Sequence, residues 1–479
     1  MSIQRKIHWG YVQMKNKVKR WTSVGLASSA VAALVVGCGQ ANNAAGTANA
    51  NGSASTVASS GATVSVAGVR IAKPTHLVNY KDASGTIVWA ESFTTGPTAS
   101  ELVSAFEKKY PKIKVKLQVQ PSNTDTNRAD LTASISGGSS TPDVYMGDVI
   151  WPAQFAHSQL AAPLSDYLPT SFWTRFSNGL VAGATYNGMV YAAPLFADTA
   201  FLYYRKDLLA KYHLPVPKTW QQLQTDASYI VKHGGAKYGF VWQGADYEGL
   251  TCDFDEYLAD AGGSVLTDGK ASLNTAAAKQ ALSFMRGLIT SGVSPQSVDT
   301  FQEPQSENVF TQGNAVFLRN WSYAWSDSQN PTSSKVVGKV GVVPLPTFAG
   351  HGSSGYSTVG GWDLYLNPHT KNLAAALQFI DWMTSPQAQE ILAANSEMPT
   401  IKAVADSPSL AKYSPVFALL PKVKFVSRPA QTPNYPSVSR AIYDNVNAAL
   451  AGSVSVSQAL QNANQQIQQA LNGSGSGGL

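Results

Sequence analysis

The sequence predicts an α/β fold built on an open parallel or mixed sheet with helices packed against it. Three observations carry this. The folded part opens with short apolar strands alternating with amphipathic helices, in the order β-α-β-α-β. Over 479 residues, 44% are hydrophobic and 13% charged, which marks a lightly charged globular chain long enough for two or three domains. Neither GxGxxG nor the phosphate-loop pattern GxxxxGKS/T occurs, so the sheet is not of the nucleotide-binding kind.

The elements follow in order. Residues 1–20 are basic and 21–37 small and apolar, ending in Val35-Val36-Gly37 before Cys38. An apolar run this short behind a basic flank reads as a secretory signal peptide over 1–37, closed by a lipobox. Residues 38–80 are read as a flexible tether, because 39–68 hold mostly Ala, Gly, Asn, Ser and Thr and no charge. An extended arm over 69–84 stays open. The fold begins near Thr86, with Ile87-Val88-Trp89-Ala90 as a buried strand. Leu102, Phe106 and Tyr110 recur every four residues and predict a helix over 99–110, which Pro111 ends. Ile113, Val115, Leu117 and Val119 alternate with Lys114, Lys116 and Gln118, a strand with one buried face. A helix around 126–136 leads to another short apolar strand from Asp143 to Met146.

From Ala193 to Tyr204 the chain is apolar with a single acid, Asp198. A helix over 206–212 follows. Thr219 then caps a helix carrying Trp220, Leu223, Ala227 and Ile230 on one face, with Gly234 past its end. Helices are expected over 275–290 and 371–383, and Ser385-Pro386 starts another as N-cap and first helical residue. Leu460, Ala463, Ile467 and Leu471 give a last amphipathic helix, and residues 473–479 a Gly/Ser tail without structure of its own.

Charge and cysteine usage exclude several function classes. Arg5, Lys6, Lys15, Lys17, Lys19 and Arg20 all fall in the leader; without them the 35 Lys and Arg drop to 29, equal to the 29 Asp and Glu. A neutral mature chain argues against a nucleic-acid partner. Two cysteines, Cys38 and Cys252, allow no disulfide framework and no Cys-rich metal site. Seven His without HExxH spacing give no zinc motif, and no cofactor is expected.

Two aromatic stretches stand out. One is Arg319-Asn320-Trp321-Ser322-Tyr323-Ala324-Trp325, with three aromatics at alternate positions. The other is Gly360-Gly361-Trp362, where two glycines let the backbone come close to whatever the indole covers. Aromatic faces beside carboxylates suit a sugar, whose C–H faces are apolar and whose hydroxyls want charged partners. Asp143 and Asp148 lie at the end of a strand, where open α/β sheets bind ligands, yet each is as readily a helix or turn cap. Asp198 inside an apolar run is costly unless partnered, which favours a ligand role over a surface charge and leaves a structural pair with Arg205 as the alternative. Arg428, in Ser427-Arg428-Pro429, reads on its own as a structural ion pair, and Trp242, Trp325 and Trp382 as core. Cys252 has no nearby His and reads as a buried free thiol. Enough carboxylates are present for a glycosidase acid and nucleophile, but no local motif joins two of them.

Several stretches together resemble the extracellular solute-binding proteins of bacterial ABC sugar importers, most of all the trehalose/maltose-binding type. They are YYRKDLLAKY at 203–212, GFVWQGADYEGLTCDFDEY at 239–257, QGNAVFLRNWSYAW at 312–325, GKVGVVPLPTF at 338–348 and SRPAQTPNYPSVS at 427–439. The resemblance spans roughly Thr86 to Leu471. It implies a two-lobed periplasmic-binding-protein-like fold of type II with the ligand in the cleft between the lobes. Hinge crossings fall near 197–201, 361–365 and 383–387. Lobe one is then 81–197 with 365–384, and lobe two 198–364 with 385–472.

The resemblance also implies ligand roles for Asp148, Asp198, Trp321, Tyr323, Gly360, Gly361, Trp362 and Arg428, and for Arg128 in the helix before Asp148. Two departures bear on the sugar. The family has a Tyr where this chain has Phe196, and an early Glu in the loop after the first strand, for which Glu91 stands only across a gap. The implied function is that of a non-catalytic, monomeric receptor for an oligosaccharide, a disaccharide such as trehalose or maltose. It would be tied to the outer face of the cytoplasmic membrane by a lipid on Cys38 and would pass its ligand to the permease subunits.

Overall fold

The computed structural model describes residues 62–66, 68–92 and 97–473; the leader, Cys38 and residues 474–479 lie outside the described residues. Two sheets organise the rest. The first has six strands in the spatial order Met398–Pro399, Ala192–Asp198, Gly360–Leu366, Val144–Asp148, Gly85–Glu91 and Ile113–Val119. Gly85–Glu91 runs parallel to both its neighbours, and Gly360–Leu366 antiparallel to both of its own. The sheet is therefore mixed. Ile113–Val119 takes the edge, with Ile113 and Val115 buried and Lys114 and Lys116 exposed. Lysines on an edge strand blunt pairing with another chain. Behind this sheet Phe106 packs edge-on against Phe379 at 5.0 Å, and Phe379 meets Trp89 at 5.2 Å. Trp382 joins the same cluster, so its indole belongs to the core.

The second sheet has four strands in the order Tyr238–Val241, Ala315–Trp321, Ala200–Arg205 and Val340–Val343. Its helix Trp220–Lys232 starts where Thr219 Oγ1 accepts the Gln222 N–H at 3.1 Å, which satisfies one of the donors a helix start leaves unpaired. Two further helices, Glu248–Asp260 and Tyr435–Ala451, pack against each other on this side. Every residue of Glu248–Asp260 except Ala259 is buried, so it shows no polar face to solvent.

The chain leaves the first sheet at Asp198 and enters the second at Ala200. It returns through Tyr356–Thr358, which pairs with Lys424–Val426, and rejoins the first sheet at Gly360. Ser357 stitches the two passages together: its Oγ accepts from Thr199 Oγ1 at 2.6 Å and from the Ala200 N–H at 2.7 Å.

Three sequence expectations are corrected. Residues 361–365 do not cross between lobes; they lie inside a strand of the first sheet, held by Val144–Asp148 and Ala192–Asp198 on either side. Residues 385–405 stay with the first lobe, because Pro386–Ala394 packs on Thr98–Lys109 and Met398–Pro399 pairs with Ala192–Asp198. After Ala405 the chain forms only short 3-10 turns, Leu410–Lys412 and Phe417–Lys422, before the strand Lys424–Val426. Lastly, the tether ends earlier than residue 80. Thr63–Val66 and Val69–Ala72 form a hairpin that buries Val66 and Ile71, and the Ala72 N–H bonds to Gly188 O at 2.8 Å. The low charge of this segment suggested slack chain, but its alternating valines and isoleucine had a surface to cover.

A chain beginning at Lys81 should therefore melt lower than one beginning at Ala62. Losing the burial of Val66 and Ile71 costs on the order of 2–4 kcal/mol. Equal melting temperatures by calorimetry would return residues 62–80 to the tether.

Candidate functional site

A narrow cleft with about 60 Å³ of free space lies between the lobes at the crossing. Each wall comes from strand ends. From the first lobe come Asp148, Phe196 and Asp198, which close two strands, and Gly360, Gly361 and Trp362, which open a third. From the second come Trp321 at the end of its strand, Tyr323 just beyond, and Arg428. Nine of the residues singled out by sequence thus line one cavity.

The glycines are needed for packing within the protein. A Cβ on Gly360 would stand 2.9 Å from the Trp321 ring, so that indole lies directly on the backbone. Gly361 has φ +132, where side chains are strained, and a Cβ there would come 2.5 Å from Phe196 O. The pairing with Ala192–Asp198 slips between Trp362 and Asp363, a bulge that re-aims the indole. Trp362 meets Trp151 edge-on at 6.0 Å, and Trp321 is backed by the Arg319 guanidinium 4.2 Å from its ring. Arg319 is itself pinned by Glu256 at 2.6 Å and Asp253 at 3.2 Å. Trp321 Nε1 donates to Glu303 at 3.2 Å.

Charges meet across the cleft. Arg428 donates to Asp148 Oδ1 of the first lobe at 3.1 Å and to Glu248 Oε1 of the second at 2.8 Å. Glu248 also accepts from Tyr435 at 2.7 Å and Ser439 at 2.5 Å. One guanidinium cannot neutralise two buried carboxylates fully, and burial pushes Glu248 up to about 7 against the pull of Arg428. Asp198 Oδ1 accepts from the Ser322 N–H at 2.9 Å, Ser322 Oγ at 2.7 Å and the Thr199 N–H at 2.8 Å. Burial nonetheless holds Asp198 near 6. Its expected alternative partner, Arg205, binds Asp207 instead, at 2.6 Å.

Two of the residues expected at the ligand do not line the cleft. Arg128 turns to Asp125 at 3.4 Å, and Asp125 Oδ2 accepts the Glu248 N–H at 2.9 Å. Arg128 thus braces a carboxylate of lobe one that caps a helix of lobe two. Glu91 is buried in its strand, and the following Ser92 reaches the cleft in its place. Asp143, at the start of its strand, accepts from the Val88 N–H, Thr370 and Asn372 and is structural. Trp242 is core, whereas Trp325 is half-buried in the short helix Ala324–Ser328, outside the cleft lining. The aromatic alternation ends at Trp321 because the strand does.

The cleft also contains residues that sequence reasoning did not place there: Ser122, Thr124, Glu248, Cys252, Glu303 and Glu397. Glu248 and Cys252 lay inside a conspicuous acidic-aromatic stretch, but a helix buried all round has no periodic signal to place them. Cys252 is a buried free thiol, pushed well up by burial and so no nucleophile. Among the described residues no group of His, Cys, Asp and Glu is placed to hold a metal ion, and no helix is long and apolar enough to cross a membrane.

The sequence model of the bacterial extracellular solute-binding proteins matches residues 90–390. The chain belongs to this family. It is 35% identical over 350 residues to a probable ABC transporter-binding protein of Deinococcus radiodurans, a match over 71% of this chain and 80% of that one. Among solved structures it is similar to maltose-bound MalE3 of T. maritima (36% identity, TM-score 0.74, covering 80% of this chain and 99% of that one). It is also similar to the GacH receptor of Streptomyces glaucescens, solved unliganded and with acarbose (26% identity, TM-score 0.73, covering 81% and 99%). These are two-lobed structures of the maltose-binding kind, the architecture described above. Members of the family are transport binding proteins and not enzymes, and they work outside the cytoplasmic membrane.

In this solute-binding protein the strand carrying Trp362 makes a further demand. Asp363, 3% exposed, is pushed up to about 8 by burial and then by Asp148. An unfolded Asp loses its proton near ~4. Between those values the folded chain holds the extra proton, so stability falls as pH rises through the window and levels off above it. Asp363→Asn should flatten this slope and melt higher than wild type above pH ~8, as read by thermal unfolding at stepped pH. A variant with the wild-type slope would show that Asp363 is ionised in the fold.

Proposed function

We propose that this chain is the lipid-anchored receptor of an ABC importer, taking up an oligosaccharide, namely a glucose disaccharide such as trehalose or maltose. The observation that carries this reading is the meeting of two indoles, Trp321 and Trp362, with Asp148, Asp198 and Arg428 in one cleft between lobes. Flat apolar faces and charged hydrogen-bond partners are the two things a sugar requires. The similarity to a maltose-bound relative supports the same class of ligand. Phe196, where the resemblance to sugar receptors implies a Tyr, brings no hydroxyl to the cleft wall and so shapes which sugar is preferred. The ligand then passes unchanged to permease subunits in the membrane. A glycoside hydrolase would instead release new reducing ends from a disaccharide, which a reducing-sugar assay detects.

Titration calorimetry over a panel of disaccharides tests the reading. Trp362→Ala loses both stacking and buried area and should weaken binding by roughly a hundredfold, at ~1.4 kcal/mol per tenfold. Asp198→Asn keeps the shape and removes the charge, and should cost roughly tenfold. A Trp362→Ala variant that folds and binds like wild type would remove the stacking platform from the account.

The anchor rests on Cys38 closing an apolar leader behind six basic residues. Cys38→Ser should move the protein from the membrane fraction to the soluble one. Unchanged retention on the membrane would rule out a lipid on this residue.

A further inference from the structure

Glu397 is the carboxyl in the cleft that nothing so far explains. It follows the helix Pro386–Ala394, whose end is a tight left-handed turn. The Ser396 N–H bonds to Ala393 O and the Glu397 N–H to Leu392 O, the paired bonds of a Schellman cap. Ser396 sits at φ +64, a conformation usually left to Gly or Asn. The position after such a turn normally carries an apolar side chain packed back on the helix. Here it carries a buried glutamate that lines the ligand cleft. The turn is fixed from the other lobe, since Ser396 Oγ lies 2.7 Å from Ser326 Oγ. Strained backbone of this sort persists where the surroundings hold it, and it concentrates at ligand sites.

Glu397 Oε2 is buried with no hydrogen-bond partner among the described residues. The charged groups facing Glu397 are Asp198, at the end of its strand, and Asp327, in the helix Ala324–Ser328. Both are acids. Behind Asp198 stands Arg319, committed to Glu256 and Asp253, and beyond Asp327 stands Glu307. A second anion beside Asp198 is therefore opposed from every side, and a buried polar atom left unpaired is costly. Both problems vanish if the carboxyl keeps its proton and gives it to a bound oxygen.

We propose that Glu397 is a further specificity-determining residue of the cleft, a protonated carboxyl that donates a hydrogen bond to an oxygen of a neutral, polyhydroxylated ligand. This rests on the sugar-receptor reading above. Asp198 and Glu397 then divide the labour: the first accepts from ligand hydroxyls, the second donates to a ligand oxygen. Burial, with Asp198 and Asp327 alongside, holds the Glu397 proton well above the usual carboxylate range. Raising the pH until it ionises removes the donor and adds a charge, so affinity is present below that point and lost above it.

The test compares wild type, E397Q and E397A by calorimetry with the tightest-binding disaccharide of the panel, from pH 6 to 9. Glutamine can donate but cannot ionise. E397Q should stay within about threefold of wild type at pH 7 and should lack the alkaline loss that wild type shows, whereas E397A should lose roughly tenfold. Equal binding and equal pH profiles for wild type and E397A would overturn the proposal. So would an E397Q as weak as E397A, which would make Glu397 an ionised acceptor. A ligand-free measurement stands beside these. The infrared difference between wild type and E397Q at pH 7 should contain the band of a protonated carboxyl, and its absence would overturn the proposal even if no sugar in the panel bound. Failure of the panel with that band present would count against the sugar reading alone.

Discussion

Arg428 is shared between Asp148 of one lobe and Glu248 of the other, and much of the molecule is arranged around that contact. All three groups are buried. Removing either side from the guanidinium would leave an uncompensated charge, which costs about 3–5 kcal/mol where it has been measured for buried pairs. The contact therefore exists only when the lobes are together. Asp125 reinforces it by capping the start of Glu248–Asp260 from the opposite lobe, so the helix that carries Glu248 is held at its N-terminus by the lobe it meets. The same carboxylate and guanidinium are chemically suited to sugar hydroxyls.

The aromatic walls depend on what lies behind them. Trp321 has the Gly360 backbone beside its six-membered ring and the Arg319 guanidinium over its ring, and Arg319 is fixed by two buried acids of Glu248–Asp260. That one helix thus holds both the cross-lobe latch and the support of an indole. Such a helix must be buried, and five of its thirteen residues are acids, which accounts for the raised carboxyl affinities for protons along it. Within its own lobe Arg319, with the two acids behind it, holds Trp321 whether or not the lobes are together, which lowers the ordering cost of binding.

Much of this could be read from the residues. The opening β-α-β-α-β order and the cap at Thr219 reflect local rules that tertiary contacts did not override. The lobes, and the cleft residues from Asp148 to Arg428, came from resemblance and not from periodicity, because nothing local ties residue 148 to residue 428. What stayed hidden has physical causes. Glu248–Asp260 is buried on every side and shows no helical period. Arg128 has the right position for a ligand arginine but a nearer acid, Asp125, takes it. Glu397 is aimed by a left-handed serine, a conformation that sequence does not announce.

The central claim is that the lobes close on the ligand and that the Arg428 bridge belongs to the closed form. Small-angle X-ray scattering of the intact folded chain, with and without a saturating disaccharide, tests it most directly. Hinge closure predicts a smaller radius of gyration in the complex. Superimposable scattering curves at saturation, with binding confirmed by calorimetry on the same samples, would contradict it.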